Sequence, residues 1–298
     1  MYPDLALKEA AAHGTKRNPL MSIHFTTGLG TSYPDGFFVK QHWHANVEII
    51  LIRKGSYWCG LDLAAHQLKQ GDMAIVNSQQ LHQLAGQDPN TVHDALLFDP
   101  EILDFSYPDE WQETWIRPFL KHELVFKNIL SPAEPSYADF RILFDEILKR
   151  SLEKAGNWYI GCKLLLLEMF ALASENRMLI PVEQEYPKAE LKKIQHYKTI
   201  IAYMEEHFHE PVSLGQLADV ISCNPQYLCR FFKEISGVSP IQYLISYRIE
   251  RASHLLAKTS LPILQVALDC GFENASYFIR KFKEMKGCTP KEFRQRSL

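Results

Sequence analysis

Three histidines and one carboxylate stand at spacings that could bring them to a single site. His42, His44 and Glu48 share parity, so on extended chain their side chains point to the same side as Ile50 and Ile52. His82 is expected to reach them from a neighbouring strand. Three imidazoles and a carboxylate form a donor set for zinc, nickel, iron or manganese. The same groups can instead hydrogen-bond a polar small molecule, with Tyr57 and Trp58 packing on it, or satisfy one another inside a core. Residue types alone leave these readings open. A bound metal would also permit catalysis by an isomerase or an oxygenase.

A second chemistry lies near the carboxy terminus, where the chain repeats itself at an offset of 50 residues. Asn224, Tyr227, Arg230, Phe232, Lys233, Gly237 and Pro240 match Asn274, Tyr277, Arg280, Phe282, Lys283, Gly287 and Pro290. In the first copy Val212, Leu214, Leu217, Ala218 and Ile221 predict a short amphipathic helix, and Ser222 and Cys223 a turn. Asn224 is then a good N-cap, with Pro225 at the first helical position, where a missing N–H is harmless. Leu228, Phe232 and Ile235 recur at helical spacing, as do Phe278, Phe282 and Met285 in the second copy, which follows Ile263, Val266, Ala267 and the turn at Gly271. With those faces inward, Gln226, Cys229, Arg230 and Lys233 point outward on one helix, and Ala275, Ser276, Ile279, Arg280 and Lys283 on the other. Amide and guanidinium groups near a helix start can read base edges in a major groove, and lysines further along suit phosphates. The intervening helix, from Ser239 to about Ala257, spans about 28 Å, enough to hold two such units roughly one DNA turn apart.

Other elements must position these groups. From about Ser22 to Phe98 short extended runs alternate with turn signals such as Tyr33 to Gly36, Lys54-Gly55 and Gln70-Gly71-Asp72, the pattern of a barrel or sandwich. Phe140, Leu143, Phe144, Ile147 and Leu148 predict a helix, and Trp158 to Ser174 a nearly all-round apolar one. The apolar stretches Phe140–Leu148 and Leu164–Ala171 must be covered, either by the barrel or by a second subunit in a homodimer. Ile180 to Lys188 has two prolines and no apolar periodicity, and reads as a linker. The expected organisation is α+β: a β-barrel domain at 1–108, a helical connecting and dimerisation segment at 109–180, a linker at 181–189 and an all-α domain at 190–298, with helix-turn-helix units at about 212–237 and 262–287.

Composition agrees with this division. At 298 residues the chain exceeds what one core usually organises. The net charge of -3 is uneven: residues 1–189 hold 17 basic and 24 acidic side chains, whereas 190–298 hold 15 and 11, so the tail alone suits a polyanion. No apolar run approaches the roughly 20 residues of a membrane span, and no basic-then-apolar leader opens the sequence. The six cysteines form no C-x-x-C pair. These features predict a cytoplasmic protein without membrane contact. With no phosphate-binding glycine loop and no nucleophile triad, the principal expectation is not enzymatic.

Two resemblances sharpen the expectations. Tyr227-Leu228-Cys229-Arg230-Phe231-Phe232-Lys233, the run from Gly271 to Lys283, and Gly287 to Arg294 resemble the signature of the AraC/XylS family of transcription regulators. That likeness covers about the last hundred residues and implies that Arg230, Arg280 and their outward neighbours contact double-stranded DNA. Gly36, His42, His44, Glu48 and Gly55 resemble the first cupin motif. Gly71, Asp72 and His82 fit the second, with Asn77 and Gln79 standing where it has Pro and Gly. Together they imply a transcription regulator whose cupin-like barrel binds a small effector, a sugar or other polar metabolite. Homodimerisation and contact with RNA polymerase belong to the same expectation. No cofactor is required by it, and a divalent metal in the barrel stays open. The alternative is a metal-dependent cupin isomerase or oxygenase fused to a DNA-binding domain.

Overall fold

A computed structural model describes residues 19–27, 37–86 and 90–297. The turn signal from Tyr33 to Gly36, and with it the first glycine of the cupin-like motif, lies outside the described residues. The chain forms two compact units, divided along the sequence between Leu191 and Lys192.

Among the described residues the first unit runs through β1 (Leu20–Thr26), β2 (Phe37–His42), β3 (Val47–Lys54), β4 (Tyr57–Leu61), β5 (Ala64–Leu68), β6 (Met73–Val76), β7 (His82–Gly86) and β8 (Val92–Phe98). Two short strands follow, β9 (Leu124–Phe126) and β10 (Ile129–Leu130). All of these but β9 form a five-stranded sheet, β1-β8-β3-β6-β10, and a four-stranded sheet, β2-β7-β4-β5, with antiparallel pairing throughout. The sheets share one core: Ile50, Ile52, Ala74, Val76, Ala95 and Leu97 from the first, Tyr57, Cys59, Leu61, Leu68 and Leu84 from the second.

The other face of the five-stranded sheet is equally apolar, because helices cover it. After α1 (Arg117–Leu120) come α2 (Tyr137–Glu153) and α3 (Trp158–Glu175). Phe140, Phe144 and Ile147 on α2, with Leu166, Met169 and Phe170 on α3, share a core with Val47, Ile49, Leu51, Ile75, Leu96 and Phe98. A strand buried on both faces reads as a continuous apolar run, which β3 is from Ile49 to Ile52. The sheet thus covers one face of these helices and leaves the other open. Their inner faces close on the sheet, while Ile142, Leu152, Ile160 and Leu164 stand more than half exposed.

Between sheet and helices runs a polar clamp. Asp94 of β8, 3% exposed, accepts hydrogen bonds from Arg53 Nε and His24 Nδ1, each at 2.5 Å, and Arg53 also pairs with Asp145 of α2.

The segment expected as a linker carries regular structure instead. β11 (Leu179–Pro181) pairs with β9, and α4 (Val182–Glu185) follows. Tyr186 is buried, donating through its hydroxyl to Asn128 Oδ1 at 2.6 Å and accepting from Gln80. The absence of apolar periodicity at 181–189 reflects a docked chain held by polar side chains, not a loose one.

The second unit is all helix. After α5 (Lys188–His207), whose later turns belong to it, come α6 (Leu214–Val220), α7 (Pro225–Ser236), α8 (Pro240–Lys258), α9 (Ile263–Asp269), α10 (Ala275–Lys286) and α11 (Pro290–Ser297). Several of the predicted starts and stops are met by a local device. Ser213 and Ser239 close capping boxes with Gln216 and Gln242, and α7 and α10 end at Gly237 (φ 74°) and Gly287 (φ 72°). Leu228, Phe231, Phe232 and Ile235 are buried on α7, Phe278 and Phe282 on α10. Among the described residues no helix is long and apolar enough to cross a membrane.

Candidate functional site

Two features of the backbone bring the histidines together. A register shift in β2 between Val39 and His42 sets His42 directly across from His82 of β7. His44 lies beyond the end of β2, in the turn to β3, so strand parity alone does not place it. Its carbonyl accepts from Gln79 N at 2.7 Å, which ties that turn to the one before His82. Gln79 adopts φ 61°, the left-handed conformation that glycine favours, which accounts for the motif's glycine position. Asn77, at the motif's proline position, pairs both ways with the backbone of Phe126 at 2.8 and 2.9 Å.

The result is a tight cluster. Ring centroids of His42 and His82 are 4.1 Å apart, those of His44 and His82 4.8 Å. His44 and His82 are buried, at 5% and 3% exposure. Glu48 Oε2 lies 3.4 Å from His44 Nε2 and 3.3 Å from His82 Nε2. Burial works against ionisation of Glu48, but the two histidines outweigh it and hold its carboxyl well below the usual range. Burial pushes His82 down to about 4, with His42 adding to the effect.

These four residues line one part of a cavity of about 280 Å³, whose remaining lining is mainly apolar: Ile23, Phe25, Val39, Ile50, Leu84, Ala95 and Leu97. Tyr57 is buried in the shared core and does not line the cavity; its hydroxyl meets His93 Nδ1 at 2.9 Å. Trp58 follows Tyr57 on β4, and since Tyr57, Cys59 and Leu61 face the core, alternation turns Trp58 to the outer face. Sequence reasoning missed His93, which does line the cavity and which burial pushes down to about 4. Its signal was alternation on β8, where Ala95 and Leu97 face inward with it.

The second surface belongs to α7 and α10. Asn224 and Asn274 act as caps, accepting from Tyr227 N and Tyr277 N at 2.8 and 2.9 Å. Gln226, Arg230 and Lys233 are exposed on α7, with Cys229 half-buried; Ser276, Ile279, Arg280 and Lys283 are exposed on α10, with Ala275 half-buried. Tyr227 and Tyr277 are half-buried platforms. The Arg230 guanidinium lies 5.9 Å from the Tyr227 ring centre, and that of Arg280 5.4 Å from Tyr277. Cation–π contact of this kind restrains a long side chain that would otherwise sample many rotamers.

A ligand-sized cavity in a two-sheet domain, on the same chain as a duplicated helix-turn-helix unit with matched arginines, defines a ligand-responsive class of DNA-binding regulator. Residues 27–155 match the AraC-like ligand binding domain, and residues 217–296 match a helix-turn-helix domain. The uncharacterized HTH-type transcriptional regulator YdeC of Bacillus subtilis (strain 168) is 22% identical over 98% of this chain and 97% of its own length. The bifunctional transcriptional activator/DNA repair enzyme AdaA of the same organism is 33% identical over 39% of this chain and 53% of its own length. A solved transcriptional regulator from Chromobacterium violaceum, described as AraC-type, is 30% identical and matches 35% of this chain and 92% of that one, with a TM-score of 0.33. The chain belongs to the AraC family of transcription regulators, with a ligand-binding amino-terminal domain and a helix-turn-helix DNA-binding domain.

Proposed function

We propose that this regulator reads DNA with Gln226, Arg230 and Lys233 on α7 and Ser276, Ile279, Arg280 and Lys283 on α10, and that a small molecule in the barrel cavity alters that binding. One observation carries the reading: two capped helices, fifty residues apart in sequence, each expose an arginine held over a tyrosine. The arginines serve base edges and the lysines phosphates. The cavity residues bind and do not catalyse. The lining favours an effector with an apolar body and one polar end over a sugar, whose hydroxyls would meet Ile23, Val39, Leu84 and Leu97 without partners.

A homodimer is part of this proposal. Ile160 and Leu164 lie one turn apart on α3 and expose 51% and 61% of their surface, which supports a seam between two copies. RNA polymerase is the partner through which the bound protein acts, and the cytoplasm is where it does so.

The decisive experiment is selection of bound duplexes from random DNA with the full chain. The expected result is two short base blocks about ten base pairs apart, one lost with Arg230→Ala and the other with Arg280→Ala. A flat profile at low ionic strength sinks the reading.

A further inference from the structure

We infer that the turn from Asn77 to Gln80 couples the cavity to the segment leading into the DNA-binding unit, with Gln80 as the positioning residue between His82 and Tyr186. The turn has two sides. On the cavity side, Gln79 N donates to the His44 carbonyl at 2.7 Å, and the Gln80 carbonyl accepts from His82 Nδ1 at 2.9 Å. On the other side, Asn77 pairs both ways with the backbone of Phe126 in β9, and Phe126 is the register partner of Leu179 in β11. The Gln80 side chain donates to the Tyr186 hydroxyl. One turn therefore supports both ends of residues 179–186, and α5 begins just beyond them at Lys188.

The side-chain amides leave this joint no slack. Gln80 Nε2 donates to Asn128 Oδ1 at 3.1 Å and to Tyr186, while Gln80 Oε1 accepts from Asn77 N at 2.9 Å and from Asn128 Nδ2 at 2.8 Å. Asn128 Nδ2 also donates to the Ile75 carbonyl at 2.8 Å, and Asn128 Oδ1 also accepts from Tyr186 at 2.6 Å. Each amide thus uses both donors and both acceptors, the full capacity of the group. Turning either one over would set donor against donor. Gln80, Asn128 and Tyr186 are all buried, so a bond broken here leaves polar groups away from water. A network of this kind holds one arrangement or gives way as a unit. His82 stands on the cavity wall with its ring centre 4.1 Å from that of His42. A cavity occupant that displaces the His82 ring draws Nδ1 from the Gln80 carbonyl, shifts the Gln80 amide, releases Tyr186 and frees the chain entering α5.

The consequence for DNA binding rests on the effector reading above; the coupling of His82 to Tyr186 does not. The test is hydrogen exchange by mass spectrometry on the full chain, following residues 179–191, with β3 and β8 as folding controls. The amides of Val182 and Tyr186, bonded to the Glu123 and Val182 carbonyls, report docking. Tyr186→Phe, which loses only the hydroxyl, should speed exchange there about 10-fold, the effect of one buried hydrogen bond. His82→Leu, which fills the ring's space without a donor, should do the same, and the double variant should add little to either single one. His82→Asn, whose amide nitrogen can replace Nδ1 as donor to Gln80, should restore slow exchange. Coupling is reciprocal, so Tyr186→Phe should also shift the His82 Nδ1 proton resonance in histidine-labelled protein. Exchange at 179–191 that His82→Leu leaves at the wild-type rate, effects of the two variants that multiply, or a His82 resonance that Tyr186→Phe does not move overturns the inference. Any of these leaves the DNA selection standing, and a flat selection leaves the exchange result standing.

Discussion

The two helix-turn-helix copies share a skeleton and differ in what they attach to it. In both, the supporting helix ends in a left-handed residue with the same pair of hydrogen bonds. Cys223 N reaches Ala218 O and Ser222 N reaches Asp219 O; Phe272 N reaches Ala267 O and Gly271 N reaches Leu268 O. The left-handed residue is Ser222 at φ 52° in the first copy and Gly271 at φ 76° in the second. The second turn then has one more residue, Glu273, before its Asn cap. The scaffold positions thus repeat, while the outward ones diverge: Gln226 and Cys229 against Ser276 and Ile279. Two copies with one frame and different outward faces would, on the proposed reading, suit an asymmetric DNA site.

The buried contacts differ as well. Glu250 of α8, 7% exposed, accepts from Lys286 of α10 at 2.6 and 2.7 Å. At the 49-residue offset that holds ahead of the longer turn, Glu250 is matched by Ile201, fully buried on α5, and at the 50-residue offset after it Lys286 is matched by Ser236, whose hydroxyl donates to Phe232 O at 2.7 Å. One copy holds an ion pair where the other holds an aliphatic side chain and a small polar one.

The largest effect should come from breaking that pair on one side. Glu250→Ala leaves a half-buried ammonium without its partner and should cost about 3 kcal/mol in urea unfolding of the DNA-binding unit, whereas Glu250→Ile with Lys286→Met should be near neutral. A mild single variant would show the two copies to be equivalent there. Next, Gly271→Ala should cost at least about 2 kcal/mol, because its Cβ would fall 2.2 Å from the Phe208 carbonyl. Gly237→Ala and Gly287→Ala have nothing within 4 Å and should cost only about 1 kcal/mol each. Third, Arg230→Ala and Arg280→Ala should each weaken specific DNA binding by about 1–3 kcal/mol, at different base positions. Uniform weakening over all sequences would reassign them to phosphate. Smallest, Asn224→Ala and Asn274→Ala should each lower the thermal midpoint by the equivalent of about 1 kcal/mol while leaving base preference unchanged; altered preference would make them readers as well as caps.

What the sequence revealed follows from how local each signal was. Caps, turns and the arginine pairs are set within a few residues, and Asn224, Pro225, Gly237 and their counterparts fall where local rules put them. The histidine cluster was visible through spacing, although His44 arrives through a turn pinned to Gln79 and not through strand parity. Trp58 was misplaced against an available rule, since neighbours on one strand cannot both face inward. His93 and the docking of Tyr186 against Gln80 and Asn128 depend on pairings across the fold, which no local window contains. The inner and outer faces of α3 were likewise indistinguishable, because apolar residues surround that helix and only the sheet beneath it decides which are covered.

β8 carries one last consequence. His93 looks into the cavity, and Asp94, the next residue, grips Arg53 and through it α2. Cargo that shoulders His93 aside therefore tugs on the same peptide unit that moors the outer helix. A push on His93 from the barrel's interior would have a single peptide bond to cross before it reached the far wall.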